Sequence, residues 1–164
     1  MACWKSVVGF ENYEVSNEGF VRSVRTGRVL NPKINNGYRQ VNLYKGGGAK
    51  PSMRLVHRLV AIAFIPNPDD KSFVDHVFGV AAGDMVKNLR WATRTENGQN
   101  RCINKNNKTG FKGVTFNKRT QKYEAHIRLN GKQTYLGSFN TAAEGYAAYC
   151  LAATEKFGAY AKMG

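Results

Sequence analysis

Four residues in the middle of the chain have the types and spacing to do phosphate chemistry. Asp75 and His76 are adjacent, Asn88 follows after a short connection, and Asn97 follows after another. Carboxylate and carboxamide oxygens are hard donors of the kind that Mg²⁺ prefers. A neighbouring imidazole can take a proton from water near neutral pH. Hydrolysis of a phosphodiester calls for both parts: a cation for the charge that develops, and a base for the nucleophile. An Asp-His pair alone also arises often by chance, so the elements around it must carry the case.

Those elements are legible from periodicity. HRLVAIAFI, from His57, places Leu59, Ile62 and Ala63 at helical spacing, with Val60 and Phe64 alongside, and Pro66 stops it. This predicts a core helix of about nine residues. FVDH reads as a short strand, GVAAGD as a turn-like connection and VKNLRW as the returning strand. Thr93 is a candidate N-cap for a helix over TRTENGQNR. The scaffold would put Asp75 and His76 on the first strand, Asn88 at the start of the second, and Asn97 on the helix facing back.

On the N-terminal side, YEVSNEGFVRSVRTGRVL and GYRQVNLYK alternate apolar and polar residues between turn signals. They predict a small antiparallel β unit carrying Arg22, Arg25, Arg28, Lys33 and Arg39. Tyr38, Gln40, Asn42 and Tyr44 would share one face, opposite Arg39, Val41, Leu43 and Lys45. On the C-terminal side, polar RCINKNNKTG reads as a linker, and the next stretch reads as three strands with an Asn130-Gly131 hairpin turn. A helix capped by Thr141 would cover one face of that sheet. Lys112, Lys118, Arg119, Lys122, Arg128 and Lys132, interleaved with Tyr123 and Tyr135, suit a nucleic-acid surface; singly, each basic residue also suits an ordinary solvated position. His126 reads as a strand residue, not a catalytic one.

Charge separates these parts. The chain has 25 Lys and Arg against 11 Asp and Glu, a net of +14. Residues 1–50 carry a net of +5, residues 51–100 only +1, and residues 101–164 carry +8. The flanks therefore suit a polyanion, with nucleic acid the first candidate and an acidic membrane surface the second, while the nearly neutral centre holds the chemistry. Cys3, Cys102 and Cys150 are odd in number and form no C-x-x-C pair, which argues against a disulfide framework or a zinc knuckle. No apolar run approaches the ~20 residues of a membrane span, and MACWKSVVGF lacks a signal-peptide core, so a cytoplasmic setting is expected.

VHRLVAIAF, VDH, NLRWAT and EN-x-x-N, between Val56 and Arg101, resemble the HNH homing endonucleases of the ββα-metal superfamily. WKSVVGFENYEVSNEGFVRS is similar to the small modular motif that often precedes this nuclease domain in phage and intron-encoded enzymes. GFKGVTFNKRTQKYEAHIRLNGKQTYLGSFNTAAEGYAAY resembles the Apetala-type DNA-binding domain of ethylene-response factors. The resemblance implies an α+β chain: an N-terminal β module over 1–55, an HNH core over 56–101, a linker over 102–110 and an Apetala-type domain over 111–164. It further implies that Asp75 and Asn97 hold one Mg²⁺ or Mn²⁺ ion. His76 would be the general base, and Asn88 would orient and polarise His76 by hydrogen bonding. His57 would contact DNA or serve the core. The connection Val77–Ala82 departs from the polar loop usual in the family, and Thr115 and Tyr123 depart from the plant domains, so no target sequence carries over.

The function expected is a metal-dependent, sequence-directed endonuclease or nickase acting on double-stranded DNA, phage- or intron-borne and working in the cytoplasm of a bacterial host. No membrane or protein partner is implied. The alternative is a non-catalytic DNA-binding regulator that retains the nuclease fold, with single-stranded RNA binding a more distant third.

Overall fold

Core packing along the chain follows the alternation of the strands and the 3.6-residue period of the helices. The computed structural model describes residues 1–100, 103, 106–129 and 131–161. It divides into two compact units, Met1–Thr93 and Arg94–Gly164.

The first unit opens with an antiparallel sheet of β1 (Trp4–Val7), β2 (Phe10–Ser16) and β3 (Val21–Ser23), in that order. A second antiparallel sheet follows, of β4 (Lys33–Asn35), β5 (Tyr38–Leu43) and β6 (Ser52–Leu55). Val41 and Leu43 turn inward and Tyr38 outward, as the period of two requires. Helix α1 (Val56–Phe64) continues directly from β6, and its buried stripe is Val56, Leu59 and Val60, with His57 and Ala61 beside it. Ile62, expected on the core face, is half exposed. At 100° per residue it lies well away from the Val56–Leu59–Val60 stripe, which won the core. The helix closes with Ile65 N–H on the Ala61 carbonyl at 2.9 Å, and Pro66 has no N–H to extend it.

The hairpin of β7 (Phe73–His76) and β8 (Leu89–Ala92) pairs Asp75 with Arg90 and His76 with Leu89. Between them run two 3₁₀ turns, Val80–Ala82 and Val86–Asn88. Asn88 therefore ends a turn just before the second strand. Trp91 Nε1 donates to the Ile65 carbonyl at 2.9 Å, fastening the hairpin to the end of α1. One hydrophobic cluster joins Val7, Phe10 and Val15 of the first sheet, Leu43 of the second, Leu59 and Val60 of α1, and Val74 and Leu89 of the hairpin. The expected division after residue 55 thus corresponds to no break in packing.

In the second unit, α2 (Arg94–Gln99) carries Asn97 and is shorter than the helix predicted over 93–101, whose last residue lies outside the described residues. The expected linker also lies partly outside them. From Asn107 it is an ordered turn: the Asn107 Oδ1 accepts from Thr109 N–H at 2.8 Å and Gly110 N–H at 3.0 Å. Asn and Asp side chains make such turns by mimicking a backbone carbonyl. An antiparallel sheet of β9 (Val114–Asn117), β10 (Lys122–Leu129) and β11 (Lys132–Phe139) has β10 at its centre. Asn130 lies outside the described residues, and Gly131 has φ 81°, within the left-handed region that a tight hairpin turn needs. Helix α3 (Ala142–Phe157) starts with a capping box: Thr141 Oγ1 accepts from Glu144 N–H at 3.2 Å, and the Glu144 carboxylate accepts from Thr141 N–H at 3.3 Å. Tyr149, Ala153 and Phe157 form its buried stripe and cluster with Ile127 of β10.

Gly113 allows that helix to close on the sheet. Its φ is +76°, and a Cβ there would meet the Tyr149 ring at Cε2, 2.6 Å away, and the His126 carbonyl at 2.8 Å. Gly113→Ala should therefore combine overpacking with a disfavoured backbone, destabilising the second unit by about 2–4 kcal/mol. Urea denaturation followed by tyrosine fluorescence measures this. A loss below about 1 kcal/mol would contradict the packing described.

Candidate active site and its relatives

Asp75 and His76 lie side by side at the end of β7, and both are almost wholly buried. Their side chains leave opposite faces of the strand, as neighbours in a strand must. Asp75 faces its cross-strand partner: Arg90 Nε and Nη2 reach its Oδ2 at 2.8 and 2.7 Å. A charge-assisted pair of this geometry fixes the carboxylate and keeps it ionised, ready to serve as a hard oxygen donor.

His76 is held by a residue that motif reading missed. Its Nε2 lies 2.8 Å from Oδ1 of Asp84, and Asp84 is only 3% exposed. An ionised carboxylate only accepts hydrogen bonds, so the proton of a neutral His76 belongs on Nε2 and the lone pair on Nδ1. Arg39 Nη1 stands 3.7 Å from the other carboxylate oxygen of Asp84. The one hint in the sequence was an acidic residue in an otherwise apolar connection, where no periodicity says which way it points.

Asn88 does not make the expected hydrogen bond to His76. Its carboxamide accepts from Phe78 N–H at 2.8 Å and donates to the carbonyls of Gly79 at 3.1 Å and Gly83 at 2.6 Å. With the side chain 1% exposed and both ends engaged by backbone, it folds the loop that returns Asp84 to His76. The apolar loop needs such an internal polar anchor because its own side chains offer none.

His57 is 5% exposed, so its ring has no surface to offer to DNA. It stands behind His76, ring centroids 5.0 Å apart and 65° between planes, with the Tyr38 ring 5.3 Å from it. Its Nδ1 has no hydrogen-bond partner among the described residues. Burial, aided by the neighbouring His76, lowers its pKa from 6.5 to about 4; Asp84 opposes the shift and Arg58 adds slightly to it.

The structure thus brings together Asp75, His76 and Asn88 in one unit and adds His57, Asp84 and Arg39 to them. Asn97 is half-buried on α2 of the other unit. Several expected DNA contacts are already engaged. Arg22 bonds Glu14 at 2.8 Å and covers the Trp4 ring, and Lys112 Nζ donates to the Gln99 carbonyl at 2.7 Å. Arg25, Arg28, Lys33, Lys118, Arg119, Lys122, Arg128 and Lys132 are exposed. Tyr123 does not join the free face of the C-terminal sheet. It lies opposite Phe116, with ring centroids 5.0 Å apart, on the side that also carries Ala125 and Val114. The free face shows Glu124, His126, Arg128 and Tyr135, with the His126 and Tyr135 rings 5.4 Å apart.

A β-hairpin that presents Asp-His at the end of one strand and Asn before the next, followed in sequence by a helix bearing Asn, is the arrangement of HNH endonucleases. The comparisons agree: residues 3–44 match the NUMOD4 motif, and the chain is homologous to HNH homing endonucleases. It is 40% identical over 99 residues to DNA endonuclease I-HmuI of Bacillus phage SP01, covering 59% of this chain and 56% of that protein. A solved structure titled "DNA binding and cleavage by the HNH homing endonuclease I-HmuI" superposes with a TM-score of 0.54 at 39% identity, over 60% of this chain and 56% of that one. An uncharacterized HNH endonuclease of Acanthamoeba polyphaga mimivirus is 33% identical over 138 residues, 84% of this chain and 38% of that protein. An APETALA2-like protein of Oryza sativa subsp. indica is 51% identical over 43 residues, 26% of this chain and 10% of that protein. The chain therefore spans about half or less of the length of the relatives it matches.

The depressed pKa of His57 has a consequence for stability. From pH 6.5 down to about 4 the unfolded chain protonates this residue while the folded chain keeps it neutral. Stability from this group is complete above pH 6.5 and falls on acidification by up to about 1.4 kcal/mol per pH unit. His57→Gln should flatten the decline of urea midpoints between pH 7 and 4. An unchanged slope would show that His57 does not resist protonation.

Proposed function

We infer that this chain is a metal-dependent endonuclease that hydrolyses phosphodiester bonds of duplex DNA in a sequence-directed way. The observation that carries this reading is the His76–Asp84 pair. It fixes one imidazole tautomer beside an ionised carboxylate, in a hairpin homologous to those of DNA-cleaving enzymes.

In this reading Nδ1 of His76 takes a proton from the attacking water, and Asp84 stabilises the imidazolium that results, as a buried carboxylate does for a catalytic histidine elsewhere. Asp75 and Asn97 offer the hard carboxylate and carboxamide oxygens that suit one Mg²⁺ or Mn²⁺ ion. When bound, that ion supplies electrostatic stabilisation of the charged phosphate and the leaving oxygen. Arg90 keeps the Asp75 carboxylate oriented. Asn88 keeps the loop closed so that Asp84 stays within reach of Nε2. The exposed cations of residues 1–50 and of the C-terminal sheet bind phosphate, the latter in an Apetala-like domain that supplies part of the target recognition.

With Mg²⁺ or Mn²⁺ present, the purified chain should nick or cut a library of duplex DNA. His76→Ala should lose at least about a hundredfold in rate, the ordinary worth of a general base. Asp84→Asn should be slowed and His76→Ala abolished while both still bind DNA. Equal, metal-independent behaviour of wild type and His76→Ala would end the nuclease reading and leave a DNA-binding regulator in its place. The exposed Phe78 and its apolar neighbours suit that second reading.

A separate measurement tests the division of labour. Removing residues 108–164 takes away Lys118, Arg119, Lys122, Arg128 and Lys132. The slope of log Kobs against log[salt] should then shrink by about 3–4, at roughly 0.9 for each phosphate no longer neutralised. The same slope before and after truncation would place the grip elsewhere.

A further inference from the structure

The loop that brings Asp84 to His76 also brings it to His57, and the three side chains together form a donor set distinct from the oxygen pair of Asp75 and Asn97. One ligand atom from each of His57, His76 and Asp84 lies within 4.8 Å of the others, and all three residues are buried. His76 Nε2 and Asp84 Oδ1 are already 2.8 Å apart. Two buried polar atoms here have no hydrogen-bond partner among the described residues: His57 Nδ1 and Asp84 Oδ2. Buried polar atoms are nearly always satisfied, and an orphan pair in one cluster calls for a reason.

We propose that His57, His76 and Asp84 form a second metal site, one that takes Zn²⁺ or a similar borderline transition metal and holds the base in an inactive form. Two imidazoles and a carboxylate, with a fourth position left for water, are a zinc donor set. Mg²⁺ does not suit it, because that ion needs oxygen ligands in near-ideal octahedral geometry and keeps several waters. Zinc bonds of 2.0–2.2 Å place tetrahedral ligands roughly 3.4 Å apart. The cluster reaches that spacing by a small turn of the His57 ring, whose Nδ1 gives up no hydrogen bond in moving. His57 also stays neutral well below neutrality, so no proton has to leave it before it binds a metal. Arg39, 3.7 Å from Asp84 Oδ2, opposes a cation there and limits the affinity.

The effect on the base follows from proton counting. Neutral His76 carries its proton on Nε2 toward Asp84; metal on Nε2 forces that proton to Nδ1. Nδ1 then has no lone pair for a water proton, and no net charge is gained or lost by the ring. This consequence rests on the endonuclease reading, whereas the site itself does not.

The test uses the full chain stripped of metal with EDTA and titrated with Zn²⁺ in a calorimeter, with and without an excess of Mg²⁺. A variant with Cys3, Cys102 and Cys150 all replaced by Ser keeps thiols from contributing. One Zn²⁺ should bind per chain in both proteins, unaffected by Mg²⁺, and His57→Gln or Asp84→Asn should weaken it at least tenfold. X-ray absorption on the zinc-loaded wild type should show two imidazoles and oxygen, which keeps the test decisive if a variant fails to fold. Binding lost in the Cys variant, displaced by Mg²⁺, retained in His57→Gln, or with sulfur or only oxygen around the zinc would overturn the proposal. Because binding is read without DNA, its failure is distinct from failure of the nuclease reading. If both hold, one equivalent of Zn²⁺ should suppress Mg²⁺-dependent cleavage at least tenfold without releasing DNA, and persistence of full cleavage with zinc bound would overturn the claim that the base is silenced.

Discussion

The carboxamide of Asn88 is the constraint on which the candidate site depends. It is buried, and its two ends bind three backbone groups of the loop between β7 and β8. Those bonds are stronger in consequence than in number. An apolar loop of this length has no side-chain hydrogen bonds of its own, and its backbone groups would otherwise compete for water. With the loop closed, Asp84 arrives opposite His76 at 2.8 Å; with it open, nothing on the strands themselves would hold that carboxylate in place. Asn at this position thus acts on the imidazole through the chain, at one remove.

The same logic ranks the polar contacts around the hairpin. The Asp75–Arg90 pair joins two strands already in register and mainly sets the orientation and charge of one carboxylate. The His76–Asp84 pair joins a strand to a loop and so depends on everything that shapes the loop. Buried ion pairs are weak contributors to net stability and strong determinants of arrangement. Here both features point away from stability and toward the placing of reactive groups.

What could be read from the sequence and what could not divide along physical lines. Helix α1, the hairpin and the capping box of α3 were legible because each has a period or a local hydrogen-bond signature that needs no tertiary partner. The positions of Asp75, His76 and Asn88 were legible from the resemblance, and the structure brings them together. Asp84 was not legible, since an irregular loop gives no rule for which residue folds inward. The motif suggests that Asn88 touches His76 because it names residues without naming what their amides bind. Spacing counted from His57 assigns Ile62 to the core, whereas the helix takes its register from Val56. Composition puts Tyr123 on the free sheet face, whereas its partner Phe116 draws it to the other side. The basic residues are as numerous as the charge implies, but pairs such as Arg22 with Glu14 show that a cation in the sequence is not yet a cation available to a ligand.

Gly19 lies in the N-terminal turn with φ +84°, and a Cβ there would come within 3.0 Å of the backbone and Cβ of Asp84. Val86 N–H donates to the carbonyl of neighbouring Asn17 at 2.9 Å. The amino-terminal motif is therefore pressed against the segment that carries the partner of the candidate base. This bears on how such a chain can be inherited and rearranged. Recombination that joined a foreign amino-terminal motif at residue 56 would bring a side chain in place of Gly19 or a differently placed turn, and the reactive hairpin would lose its support. Shuffling that preserves the site must carry residues 1–93 as one piece, so the motif travels with its nuclease hairpin as a single heritable block.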